Sequence, residues 1–306
     1  MTHSRPNVAV ELRDATKRFG AVEALRGVSL AVQQGETVAL LGPNGAGKTT
    51  AISLMLGLRA PTSGSARVFG RDPREPVSRT RLGVMLQESG VPFTLKVREV
   101  AEMFRRLYPH PRGVAETLEI AQLEDKANAL VATLSGGQKQ RLYFALALIG
   151  DPDVLFLDEP TVSLDVEARH AFWERITAMV DAGKTLVLTT HYLEEADALA
   201  DRIVVIDHGR IVAEGTPREI KAKVGAKRVR FRAAGVDEAR LSALPGVQRA
   251  ARTAELFDIY TLEPETLLAT LFAEGAPIHD LEVVGADLEQ AVLALIAEQH
   301  DEGVRA

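Results

Sequence analysis

The residues best suited to chemistry lie in the run Gly42-Pro43-Asn44-Gly45-Ala46-Gly47-Lys48-Thr49. The spacing is G-x-x-x-x-G-K-[ST], in which glycines let the backbone wrap closely and aim successive N–H groups at phosphate oxygens. A helix starting there adds the positive end of its dipole. Lys48 then reaches the β- and γ-phosphates of a nucleotide, and the Thr49 hydroxyl ligates Mg²⁺. The nucleotide-binding set is Gly42, Pro43, Asn44, Gly45, Ala46, Gly47, Lys48, Thr49 and Thr50.

A second cluster ends an apolar run, Val154-Leu155-Phe156-Leu157-Asp158-Glu159. A buried strand that delivers two carboxylates to its end suits a metal site beside a base. Asp158 offers the hard oxygen that Mg²⁺ prefers. Glu159, one residue on, points elsewhere and polarises the attacking water. An Asp-Glu-Pro sequence is also a common solvated turn, so this assignment leans on the phosphate-binding run upstream.

A third motif is Leu134-Ser135-Gly136-Gly137-Gln138. Ser135 suits the N-cap of a helix running to Ile149, and exposed N–H groups at such a helix start bind anions. With this pentapeptide the chain resembles the ATP-binding subunits of ABC transporters, in which it is the family signature. The resemblance is dense over about residues 8–220 and weaker beyond Lys221, where the tail resembles that of antibiotic and multidrug exporter ATPases. It implies that Ser135, Gly136, Gly137 and Gln138 complete the ATP site of an opposite subunit, and that Asp165, in Ser163-Leu164-Asp165, crosses the dimer interface. It implies further that Gln87 contacts Mg²⁺ and water, that His191 contacts the γ-phosphate, and that Phe19 stacks on adenine. Glu159, His191 and Gln87 form the implied catalytic set; Thr49, Gln87 and Asp158 form the metal set. The chain departs from the family at Val162-Ser163, where a small residue followed by glycine is more usual.

The elements that position these residues follow from periodicity. Thr37–Leu41, Val154–Leu157 and Thr185–Thr190 are apolar runs of strand length, followed by a Gly-rich turn and helix, a carboxylate pair, and His191 respectively. Helices are predicted over Thr49–Leu58 and Val166–Ala182, the latter with Phe172, Trp173, Ile176, Met179 and Val180 on one face and Gly183 as its stop. His208-Gly209 marks a hairpin turn. The predicted fold is α/β, a P-loop NTPase with a mostly parallel sheet and an inserted helical subdomain at about 88–150. Strand and helix signals beyond Lys227 alternate as in a small ferredoxin-like α+β module. The expected domains are therefore 1–222, an ATPase domain, and 223–306, a small C-terminal domain.

Bulk properties set limits. The chain has 306 residues, 46% of them apolar and 25% charged, with no cysteine. That excludes a disulfide framework and Cys-ligated metal. A net charge of −6 argues against nucleic acid as a partner. Met1–Val10 is polar and contains Pro6, unlike a secretory signal. The longest apolar stretch, Leu142–Gly150, is too short to span a bilayer. The resemblance implies as partners a second copy of the chain and an integral membrane permease, with the chain peripheral on the cytoplasmic face of the membrane and ATP and Mg²⁺ as cofactors. An ABC-type ATPase of translation or DNA repair is the competing class. Translation members usually carry two cassettes, and repair members insert a long coiled coil; here one cassette is present, and 88 residues without sustained heptads separate Gly47 from Ser135.

Overall fold

The computed structural model describes residues 7–86, 90–224, 227–285 and 287–305. Contacts divide the chain into two units, residues 1–214 and 215–306. The first unit opens with β1 (Val8–Phe19), β2 (Val22–Gln33), β3 (Thr37–Leu41), α1 (Lys48–Met55) and β4 (Ser63–Val68). It continues through α2 (Pro76–Arg79), β5 (Leu82–Met85), α3 (Val97–Arg105), α4 (Val114–Ile120) and α5 (Gly136–Leu148). β6 (Val154–Asp158), α6 (Val166–Asp181), β7 (Thr185–Thr189), α7 (Leu193–Leu199), β8 (Arg202–Asp207) and β9 (Arg210–Gly215) complete it.

The central sheet has the order β5-β6-β7-β3-β8-β9, with parallel pairing from β5 through β8. Every residue of β3 and β7 is buried, as is all of β6 up to Asp158, which is why these strands are continuous apolar runs and not alternating ones. The order matters for function. It sets β6, β7 and β3 side by side, so their carboxyl ends open onto one edge of the sheet. β8 and β9 form the expected hairpin, with His208 and Gly209 both at positive φ in its two-residue turn.

A three-stranded antiparallel sheet, β2-β1-β4, is an addition that the periodicity did not reveal. Its apolar face, with Leu12, Leu25 and Leu30, closes over α1 (Ile52, Leu54, Met55), which in turn rests on Val38, Leu40 and Phe156 of the central sheet. The segment from α3 to α5 is helical as predicted and has its own core, including Val97, Val100, Leu118, Leu142 and Ile149. Phe144 of α5 meets Phe172 of α6 with ring centroids 4.6 Å apart.

The second unit comprises α8 (Pro217–Val224), β10 (Lys227–Arg232), α9 (Glu238–Ser242), β11 (Val247–Thr253), β12 (Leu256–Thr261), α10 (Pro264–Ala273), β13 (His279–Val284) and α11 (Leu288–Arg305). The strands form one antiparallel sheet of order β11-β12-β10-β13. With the βαββαβ chain order this is the ferredoxin-like arrangement expected from the sequence. Phe231 and Phe257 stack at 5.3 Å in its core, joined by Leu241, Leu267 and Leu271. α8 packs on α11, and so belongs to this unit. Among the described residues no helix is long and apolar enough to cross a membrane.

Candidate active site

The cradle begins where β3 ends. Gly42 has φ 144°, and a Cβ there would lie 2.0 Å from the Ile206 carbonyl oxygen. Gly47 has φ 111°, and its Cβ would lie 2.6 Å from the Ala24 carbonyl oxygen. At both positions only glycine fits, for conformational and for steric reasons. The hairpin turn braces the loop: Gly209 N donates to Ala46 O at 2.9 Å, and Arg26 N to Gly209 O at 2.8 Å. Lys48 opens α1 and curls back, its Nζ donating to the carbonyls of Gly42 at 2.6 Å and Pro43 at 3.0 Å. Burial pushes the Lys48 ammonium pKa down, against the opposing pull of Glu159 and Asp158.

Two neighbouring strands supply the rest. Asp158 and Thr189 are paired residues at the ends of β6 and β7, and the Thr189 hydroxyl donates to Asp158 Oδ1. Glu159 leaves the strand at φ 51° and is held by its N–H, which donates to Thr189 O at 3.0 Å. His191 Nε2 lies 2.5 Å from Glu159 Oε1. Residues 44–50, Asp158, Glu159 and His191, together with Ala24, line one cavity of about 420 Å³. Its walls therefore carry a buried ammonium, loop N–H groups, two carboxylates and an imidazole. This combination holds a polyphosphate and polarises water beside it.

The other predicted residues lie elsewhere. Ser135 caps α5 as expected: its hydroxyl accepts from Gln138 N at 3.2 Å, and Gln138 Oε1 accepts from Ser135 N at 2.9 Å. Gly136 and Gly137 pack on the loop before α6, where added Cβ atoms would stand 3.3 Å from Ser163 Cβ and 3.2 Å from Leu164 Cδ2. Asp165 caps α6, accepting from Ala168 N at 2.8 Å. None of the described residues lining the cavity comes from Ser135, Gly136, Gly137, Gln138 or Asp165. Phe19 ends β1 half-exposed, with Lys17 and Arg59 cations 5.3 and 5.0 Å from its ring centroid. Gln87 lies outside the described residues. Thr189 and Ala24 were not anticipated; the threonine pair before His191 was the only trace of the former.

A family model described as ABC transporter matches residues 25–162. The Nod factor export ATP-binding protein I of Cupriavidus pinatubonensis is 41% identical over 274 residues, 87% of this chain and 84% of that protein. The protein of the same name from Burkholderia orbicola is 39% identical over 306 residues, covering 95% and 97%. Among solved structures, an ATP-binding subunit of an ABC transporter superposes with TM-score 0.66 at 28% identity, over 71% of this chain and 93% of that one. A dimeric ATP-binding cassette in a post-hydrolysis state, bound to ADP and Pi, gives TM-score 0.63 at 28% identity, over 68% and 98%. The chain belongs to the ATP-binding, ATP-hydrolysing subunits of ABC transporters.

Proposed function

We propose that two copies of this chain close head to tail around two Mg-ATP molecules, and that this closure drives export through a separate integral membrane permease. The observation that carries the catalytic part is the 2.5 Å contact of His191 with Glu159 in the cavity that holds Lys48. Lys48 grips the β- and γ-phosphates, and loop N–H groups from Gly42 to Thr50 surround them. Glu159 takes the proton of the attacking water, and His191 holds the γ-phosphate while orienting Glu159. Thr49 and Asp158 fit a hard cation: both are oxygen donors on the one cavity, and Thr189 fixes the Asp158 carboxylate. A Mg²⁺ held there by Thr49 and Asp158 would supply positive charge against the phosphates.

The head-to-tail arrangement is supported by the placement of Ser135, Gly136, Gly137, Gln138 and Asp165 outside their own chain's cavity, and by the dimeric state of the ADP- and Pi-bound neighbour. In a two-fold pair the α5 start of one copy faces the γ-phosphate on the other. Phe19 is the platform for adenine, and Gln87 senses the permease. The chain is placed on the cytoplasmic face of the membrane through that permease, with no nucleic acid partner. Export is favoured by the relatives named as export proteins.

Glu159→Gln tests the base. It should nearly abolish turnover and trap an ATP-bound dimer on size-exclusion chromatography; unchanged hydrolysis overturns the assignment. Lys48→Ala should weaken nucleotide binding itself. Recovery of a multi-span membrane protein with the affinity-tagged chain would separate a transporter subunit from a repair or translation ATPase.

A further inference from the structure

Glu195 is fully buried on α7, whereas its neighbour Glu194 is exposed. Its carboxylate joins three segments. Trp173 Nε1, on α6, donates to Oε1 at 3.0 Å. Thr161 Oγ1, two residues after Glu159, donates to Oε2 at 3.4 Å. Glu195 itself stands on α7, four residues after His191, and the Thr190 hydroxyl before His191 accepts from Tyr192 N at 2.9 Å. Around it, the Arg169 guanidinium lies 3.8 Å from the Tyr192 ring centroid, and Tyr192 directly follows His191.

A carboxylate in such a place is costly, and burial pushes its pKa up despite the donors and the charge of Arg169. An apolar side chain of similar volume would fill the space at lower desolvation cost. What an apolar residue cannot do is hold a threonine hydroxyl and an indole N–H at a fixed separation. Thr161 sits two residues after Glu159, and Glu195 itself sits four residues after His191.

We propose that Glu195 is a positioning residue for hydrolysis, tying the segment after Glu159 to the helix after His191 and so setting the approach of those two side chains. It is not among the residues that line the cavity and acts through Glu159 and His191, which are. The inference rests on the catalytic roles given above to Glu159 and His191.

The test uses the full chain, with steady-state ATPase kinetics and fluorescent-nucleotide titration at a temperature where circular dichroism shows each variant folded. Glu195→Ala should lower kcat by about ten- to a hundredfold while KM and nucleotide affinity stay within about twofold. Glu195→Gln, which keeps the volume and bonds both Trp173 and Thr161 with the Thr161 hydroxyl reoriented, should recover most of the rate. In the double variant with His191→Ala, the Glu195→Ala change should cost little further, since both act on one unit. Wild-type turnover by Glu195→Ala overturns the proposal, as does a loss of kcat and affinity in equal proportion. If Glu195→Ala does not fold, Thr161→Val removes one bond at constant volume, and the same split between kcat and KM decides. Glu159→Gln is measured alongside. An active Glu159→Gln overturns the underlying catalytic reading; an inactive one beside a fully active Glu195→Ala overturns this inference alone.

Discussion

His191 Nε2 stands 2.5 Å from Glu159 Oε1, joining the end of β7 to the end of β6 over the phosphate cradle. The imidazole therefore both restrains the carboxylate and lines the cavity. Removing it should damage the chemical step more than binding, because Lys48 and the loop amides remain. His191→Ala is expected to lower kcat by about two orders of magnitude with nucleotide affinity little changed, read by ATPase assay and nucleotide titration.

The loop glycines are not equivalent. Gly42 faces the Ile206 carbonyl, with 2.0 Å available to a Cβ, whereas a Cβ on Gly45 would meet nothing within 4 Å although φ there is 80°. Gly45→Ala should cost only the strain of a left-handed residue, about 1–2 kcal/mol, and keep nucleotide binding. Gly42→Ala must displace β8 or the loop, and its nucleotide binding should be lost. Chemical denaturation and titration of both variants give the comparison.

Asp151 accepts from Lys184 at 2.9 Å and from Arg112 at 2.7 Å, and these bonds, Lys184 first, hold its carboxyl pKa below the ordinary 3.8. A depressed carboxyl stabilises the fold above its ordinary value, and the contribution disappears as pH falls through the folded value. The pair is partly exposed, so screening limits it. Asp151→Asn should cost about 1 kcal/mol at pH 7. Urea midpoints of the two proteins should converge as pH drops below 3.8.

Phe144 and Phe172 are fully buried and join α5 to α6 away from the cavity. Phe144→Ala should destabilise by about 3–5 kcal/mol, whereas Phe144→Leu should cost about 1 kcal/mol. The unfolding free energies measure this directly, and nucleotide affinity of the folded protein should be unchanged.

Local order carried much of this molecule into view. The strand, Gly-rich turn and helix around Lys48 are consecutive, so the cradle was legible from Gly42 to Thr49, as were the cap at Ser135 and the alternating strands and helices of the C-terminal unit. The β2-β1-β4 sheet was not. Its strands carry register shifts, as between Leu12 and Ala15, that break the two-residue period, and β1 pairs with β4 from far along the chain. Residue types marked Asp158 and Glu159, and the family resemblance marked His191, but their common cavity depends on β6, β7 and β3 being neighbours. The bonds of Thr189 to Asp158 and of Thr161 and Trp173 to Glu195 were invisible for the same reason. Nothing in the local sequence separates Glu195 from Glu194; only helix α7, laid against α6 and the strand ends, buries one and exposes the other. Propensity and capping act between residues close in the chain, whereas burial and side-chain contact are decided by which distant elements the fold packs together.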